Sequence, residues 1–261
     1  MDFIFEYYFD FGLMGDSFGD VFDAFLTTLK LSLVAGVLSL IWGLVLSLLR
    51  QLPVPPVRWV TIAYIDAFRG VPLLLVLLLV SGFLSAAQAE GTIPREIGIP
   101  EWFGEESWFW YGVIGLTLTY GAYMAEVYRA GIEAVPPGQT EAARSLGMSH
   151  GQSMRFVVVP QAIRKVIPPL LNDFIALMKD TSLVSVIGGL EVVQAGFDVQ
   201  TAEFNGSALV LGAVLFLIVT IPLARLVDWL IAREQSKTQR SGEPGEPAEP
   251  AGPPATGMAS A

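Results

Sequence analysis

Lys179-Asp180-Thr181-Ser182 interrupts an otherwise apolar stretch, Val166–Leu190, and Asn172 and Asp173 precede it by about two helical turns. Together these residues offer an ammonium, carboxylates, hydroxyls and an amide. That set suits a small zwitterion, which presents its own carboxylate and ammonium. Ionisable groups at membrane depth are costly, so they mark either a solute path or a paired structural site. Neighbouring residues on a helix point about 100° apart, so Lys179 and Asp180 do not easily face one ligand. The competing reading is that they pair with neighbours and stabilise a helix break or a dimer interface. Glu126 precedes Arg129 by three residues and is expected to pair with it. Arg69 stands before Gly70-Val71-Pro72, where a helix is expected to break. Its guanidinium is expected to snorkel toward the cytoplasmic interface, in a structural or gating role.

Other chemistries are excluded by what the chain lacks. It has no cysteine and one histidine, His150, so neither a thiolate site nor a Cys/His metal cluster can be built. His150 has no serine-elbow context and reads as a surface histidine. No G-x-x-x-x-G-K-[ST] occurs, so the chain is not expected to hydrolyse ATP. The net charge of −10 disfavours nucleic acid as a partner.

The elements that position these residues are membrane spans. Of the 261 residues, 53% are hydrophobic and only 15% are charged, against about 25% in soluble domains. Uncharged runs long enough for a helix to cross roughly 30 Å of hydrocarbon occupy 31–49, 71–89, 107–125 and 204–224. Val166–Leu190, with its internal charges, is the fifth span, fourth in chain order. No run shows the two-residue alternation of a membrane barrel, so the expected class is all-α. The loops after the first, third and last spans are basic, and the segments between them are acidic or lack bases. The positive-inside rule then gives five crossings, with the N-terminus outside and the C-terminus cytoplasmic. Residues 1–24 form an outer segment, 25–235 the membrane domain, and 236–261 a disordered Pro/Gly/Glu-rich cytoplasmic tail. Residues 12–30 either form a short amphipathic helix on the outer surface or simply begin the first span.

The longest cytoplasmic connection carries the most information. Pro136-Pro137 ends the third span. Gln139–Leu146 can form two helical turns, and Gly147 permits a bend. Ser149 and Gln152 match a capping box, and a second short helix is expected to run to Pro160. Two short helices at an angle make a protruding elbow over 136–160.

Here the chain resembles a known family. Glu141-Ala142-Ala143, Gly147 and Val157-x-Val159-Pro160 follow the spacing of the EAA loop of ABC-transporter permease subunits, with Val157 and Val159 where Ile and Leu are usual. The surrounding words resemble the polar amino-acid branch of those importers. They include Phe68-Arg69-Gly70-Val71-Pro72 (Val71 replacing a usual Thr), Gly121-Ala122-Tyr123-x-Ala125-Glu126 and Lys179-Asp180-Thr181-Ser182-Leu183. The resemblance covers about residues 20–235. It implies the type I importer permease fold, a five-helix core used as a homo- or heterodimer with a second permease subunit. It implies a cell-membrane location and a polar amino acid as the small-molecule substrate. ATP and Mg are expected on a separate ABC ATPase subunit, and substrate capture on an extracellular solute-binding protein. Glu141, Ala142, Ala143 and Gly147 become ATPase-coupling candidates. Asn172, Lys179, Asp180, Thr181 and Ser182 remain substrate-path candidates. A secondary carrier driven by an ion gradient is the alternative, and the single set of spans, without an internal repeat, argues against it. A membrane enzyme lacks a convergent catalytic set.

Overall fold

The computed structural model describes residues 2–94 and 106–240. Helix α1 (Asp2–Tyr8) and helix α2 (Phe11–Asp16) precede α3 (Phe18–Gln51). The chain continues through α4 (Pro55–Gly70), α5 (Leu73–Ala89) and α6 (Ser107–Glu133). Then come α7 (Pro137–Ser145), α8 (His150–Ser153), α9 (Val159–Asp180), α10 (Val192–Glu203) and α11 (Ser207–Arg240). No strand occurs among the described residues. Most of the acidic stretch between the second and third spans, and the tail beyond residue 240, lie outside the described residues.

Two helices are long and apolar enough to cross a bilayer by themselves, Phe18–Gln51 and Ser207–Arg233. The number rises to four if each of two bent pairs makes one span. These pairs are α4 with α5, bent by 110°, and His150–Ile187 with α10, bent by 51°. Helix α6 is long enough but is not in that set. Its sequence, SWFWYGVIGLTLTYGAYMAEVYRAGIE, is rich in Gly, Tyr and Thr. The reason is its position: it lies in the middle of the bundle and faces protein rather than lipid, so it need not be aliphatic.

The core forms where α3 and α6 cross. Leu31, Ala35, Leu77, Phe109, Leu116 and Leu177 are fully buried in one cluster drawn from α3, α5, α6 and α9. Apolar burial gains little over lipid, so close van der Waals fit must hold such helices together. Gly43 shows the fit. A Cβ there would sit 2.9 Å from the carbonyl oxygen of Gly121 and 3.0 Å from the amide of Ala125, so the two backbones nearly touch. Polar ties fix the neighbours. Trp42 Nε1 donates to Tyr64 Oη (2.9 Å), which donates to the carbonyl of Leu118 (2.9 Å), joining α3, α4 and α6.

Several elements differ from the sequence reading. Residues 50–70, expected as a basic loop, contain the sixteen-residue helix α4. Pro55 and Pro56 open it at the first helical positions, where no amide partner is lost. The expected loop around Glu191, Asp198 and Glu203 is helix α10. The Glu191 carboxylate caps it, accepting from the amides of Val193 (2.9 Å) and Gln194 (3.0 Å). Pro160 does not close the second elbow helix. A π-turn over Met154–Val158, in which the Val159 amide reaches back to the Met154 carbonyl, absorbs the proline near the start of α9 and lets the helix continue. Residues 12–30 divide between the two readings: 12–16 belong to the separate short helix α2, and from Phe18 the chain begins the long helix α3. Helix α11 runs through Arg240, past residue 235.

Candidate functional site

The 110° bend between α4 and α5 builds one wall of a polar cleft. Val71 and Pro72 are extended at the corner, since Pro72 disfavours the helical region for the residue before it. Arg69, Gly70, Val71, Pro72 and Leu73 therefore face outward from the bend into a space of about 470 Å³. Thr119, Tyr120 and Tyr123 of α6 and Asp173, Ala176 and Asp180 of α9 complete the lining. Asp173, Ala176 and Asp180 follow one another at three- and four-residue steps, so one face of α9 presents both carboxylates.

The polar groups are arranged in two sets. Arg69 stacks its guanidinium over the Tyr123 ring at 5.8 Å, an orienting cation–π contact. Across the cleft, Tyr120 Oη donates to Asp180 Oδ2 at 2.8 Å. Asp173 Oδ2 and Thr119 Oγ1 are buried atoms without hydrogen-bond partners. One cation thus stands in a cleft with two carboxylates, one of which keeps an acceptor oxygen unused. Such an arrangement can receive a carboxylate at one side and an N–H cation at the other.

The residues singled out in the sequence divide sharply. Asp180 lines the cleft. Lys179 and Asn172 are exposed and seven residues apart, so they share a different face of α9. Thr181 is fully buried, and its hydroxyl donates to the Met178 carbonyl at 2.7 Å to finish the helix. The carbonyl of Ser182 accepts from the Ser185 hydroxyl in the following 3₁₀ turn. None of Asn172, Lys179, Thr181 and Ser182 lines the cleft. Arg69 does, at the α4–α5 corner. Sequence reasoning passed over Thr119, Tyr120 and Tyr123 as cleft groups. The available signal was a pair of tyrosine hydroxyls three residues apart in a membrane helix, each needing a partner.

Glu126 lies outside the cleft. It pairs with Arg129 at 2.8 Å and also with Arg50 at the end of α3, while Arg129 pairs in turn with Glu133. The four-residue network ties the ends of α3 and α6 together just before the elbow.

The elbow keeps its expected first helix, bend and capping box, while its second helix runs on into α9. Helix α7 ends at Ser145, and Gly147 takes a left-handed backbone (φ +85°) that any other side chain would strain. The capping box is complete: Gln152 N donates to Ser149 Oγ (3.3 Å), and Ser149 N to Gln152 Oε1 (2.9 Å). Val135, Val158 and Ala162 form a small core that seats the elbow on the ends of α6 and α9. Ala143 is buried, whereas Glu141 and Ala142 are exposed. Leu146 beside them is 82% exposed, a large apolar side chain presented at the tip.

A bundle of membrane-length helices around a polar cleft, with a seated elbow at one end, defines a membrane transport subunit. The chain belongs to the family of binding-protein-dependent transport system inner membrane components, whose profile matches residues 37–235. It is 33% identical to a probable glutamine ABC transporter permease protein, GlnM, of Bacillus subtilis (strain 168), covering 85% of this chain and 96% of that one. It is 31% identical to the glutamate/aspartate import permease protein GltK of Escherichia coli O6:H1, covering 87% and 99%. Among solved structures, an amino acid ABC transporter crystallised with histidines superposes with a TM-score of 0.75 at 33% identity, over 86% of this chain and 98% of that one.

Proposed function

We propose that the chain is the permease subunit of an ATP-driven importer of polar amino acids, and that the cleft between the α4–α5 corner, α6 and α9 holds the solute in transit. The observation that carries this reading is the placement of Arg69 opposite Asp173 and Asp180. The solute carboxylate docks on Arg69, and its ammonium on Asp173 and Asp180. A zwitterion leaves the cleft with one excess negative charge. A cationic side chain cancels that charge, an amide leaves it, and an acidic side chain adds to it. Uptake is therefore ordered basic, then amide, then acidic. The names of the related permeases cover glutamine, arginine and glutamate/aspartate, so the order selects within that range.

The chain crosses the membrane five times, with the N-terminus outside and the C-terminus cytoplasmic. The loop charges support this orientation, and α6 serves as the span shielded by its neighbours. Residues 136–160 form the coupling element, docking in a groove of a separate ATPase subunit that carries ATP and Mg. Glu141 and Leu146 face that groove, Ala142 allows close approach, Ala143 is buried, and Gly147 sets the elbow angle. A solute-binding protein delivers the amino acid from outside, and a second permease subunit completes the path.

Reconstituted vesicles holding the chain, its ATPase and its binding protein test the reading. Labelled arginine, glutamine and glutamate are expected to enter in that order of preference, and only with ATP. Uptake driven by an ion gradient alone would replace this reading with the secondary-carrier one.

A further inference from the structure

The N-terminal helices precede the matched family region, which starts at residue 37, and carry a surface that the transport reading does not use. One side of α1 and α2 is fastened to the corner between α10 and α11. Gly206 N donates to the Tyr7 carbonyl (2.8 Å), Asn205 Nδ2 to the Glu6 carbonyl (3.1 Å), and Gln200 Nε2 to Tyr7 Oη (2.9 Å). The Asp10 amide donates to Ser207 Oγ at 2.9 Å. The Tyr8 ring lies so close that a Cβ on Gly206 would come within 2.8 Å of it.

The other side is bare and aromatic. Phe3, Phe5 and Phe11 are 76%, 58% and 72% exposed. Phe5 stacks on the half-exposed Phe9, and Phe18 on Phe22 at the start of α3. The height of this patch follows from α11. Its uncharged run from Ser207 to Ala224 has 18 residues, about 27 Å of helix, close to the hydrocarbon thickness of roughly 30 Å. Ser207 therefore marks one edge of the hydrocarbon. Val21 and Phe25 pack in one cluster with Ala208 of that first turn, so Phe18 and Phe22 lie at the same level. The exposed apolar face continues down α3 through Leu26, Leu33, Val37 and Ile41, interrupted by Lys30. Asp16, Asp20 and Asp23 are also exposed, and at four- and three-residue steps they share a separate face.

From this continuity we propose that α1, α2 and the first turns of α3 form an interfacial pad. It inserts phenylalanine rings at the boundary between lipid headgroups and acyl chains and clamps the α10–α11 corner to that boundary. Phenylalanine, with Trp and Leu, makes up the apolar face of helices that lie at this level of the membrane. In-plane helices bind there through an apolar face, usually with a basic polar face added. Here the polar face is acidic, so attachment rests on apolar burial alone and needs no anionic lipid. In the orientation proposed above the pad lies on the outer leaflet.

The chain has no cysteine, so a single introduced cysteine is its one labelling site once any cysteines of the partner subunits have been replaced. Phe5→Cys, Phe11→Cys and Asp20→Cys are each placed in the complete transporter, in phosphatidylcholine nanodiscs without the solute-binding protein. Only labelled samples that retain ATP hydrolysis are compared. Labels at 5 and 11 are expected to collide with oxygen about threefold more often than with a water-soluble nickel chelate, with the ratio reversed at 20. A nickel-dominated signal at 5 and 11 overturns the proposal, because the rings then face water. Low collision rates with both reagents also overturn it, because a protein surface then covers the pad. The measurement does not depend on which side is outside or which solute is carried, so it stands or falls separately from the transport reading.

Discussion

In the elbow, every group that sets the geometry lies within 28 residues of chain, from Val135 to Ala162. In the cleft, the groups that face one another lie more than a hundred positions apart, with Arg69 on one wall and Asp173 and Asp180 on the other. The elbow is shaped by a capping box, a left-handed glycine and a three-residue apolar seat, with Ser153 Oγ buried without a partner. The cleft is assembled from distant parts of the chain. It keeps Asp173 Oδ2 and Thr119 Oγ1 without partners, at a cost of about 1–3 kcal/mol each if nothing pairs with them. A region whose geometry is set by near neighbours in the chain can complete itself locally. A region whose facing groups come from distant parts of the chain needs the surrounding bundle to hold them in place.

That contrast can be broken experimentally, and the largest effect belongs to the elbow. Glu141→Lys or Gly147→Leu is expected to lower ATP-driven uptake about thirtyfold or more while membrane insertion stays normal. Uptake assays beside a blot of the membrane fraction measure this, and normal uptake would separate the elbow from coupling. In the cleft, Asp173→Asn is expected to raise the half-saturating concentration of a basic amino acid about tenfold. An equal effect on arginine and glutamate would show that Asp173 does not read solute charge.

Glu126→Gln tests the join between the two regions. It leaves Arg50 and Arg129 facing one another with a neutral partner. Both guanidines are partly exposed, so solvent screens the loss and about 1 kcal/mol is expected. The unfolding midpoint in detergent should fall by a few degrees, with uptake at moderate temperature nearly unchanged. The smallest effect is expected from Lys179→Ala. Because Lys179 lies on the face of α9 away from the cleft, the half-saturating concentration should stay within about twofold. A large shift would place Lys179 in the solute path and enlarge the site beyond the cleft.

How much could be read beforehand follows the same division. The capping box at Ser149 and Gln152, the bend at Gly147 and the pairing of Glu126 with Arg129 were all legible, because each involves residues within a helical turn or so. The long uncharged runs were legible for a similar reason, since membrane hydropathy is a local property. Helix α4 was not, because its arginines and paired prolines read as a loop until their positions at the helix start are known. The path of the chain through Pro160 was hidden too, because a π-turn leaves no apolar period to detect. In the fourth span, the sequence offered six polar residues and no means of sorting them. Asp173 and Asp180 reach the cleft and Asn172 and Lys179 do not, which depends on the rotation of α9 against α6.

The amino-acid sequence by itself determined the all-α membrane class, the elbow and the family, since these rest on composition, short-range chemistry and ordered motifs. Only the tertiary structure decided which charges share a space. A helix presents its residues all around its axis, and packing alone selects the face that lines a cleft, the face that meets another helix and the face left to the surroundings.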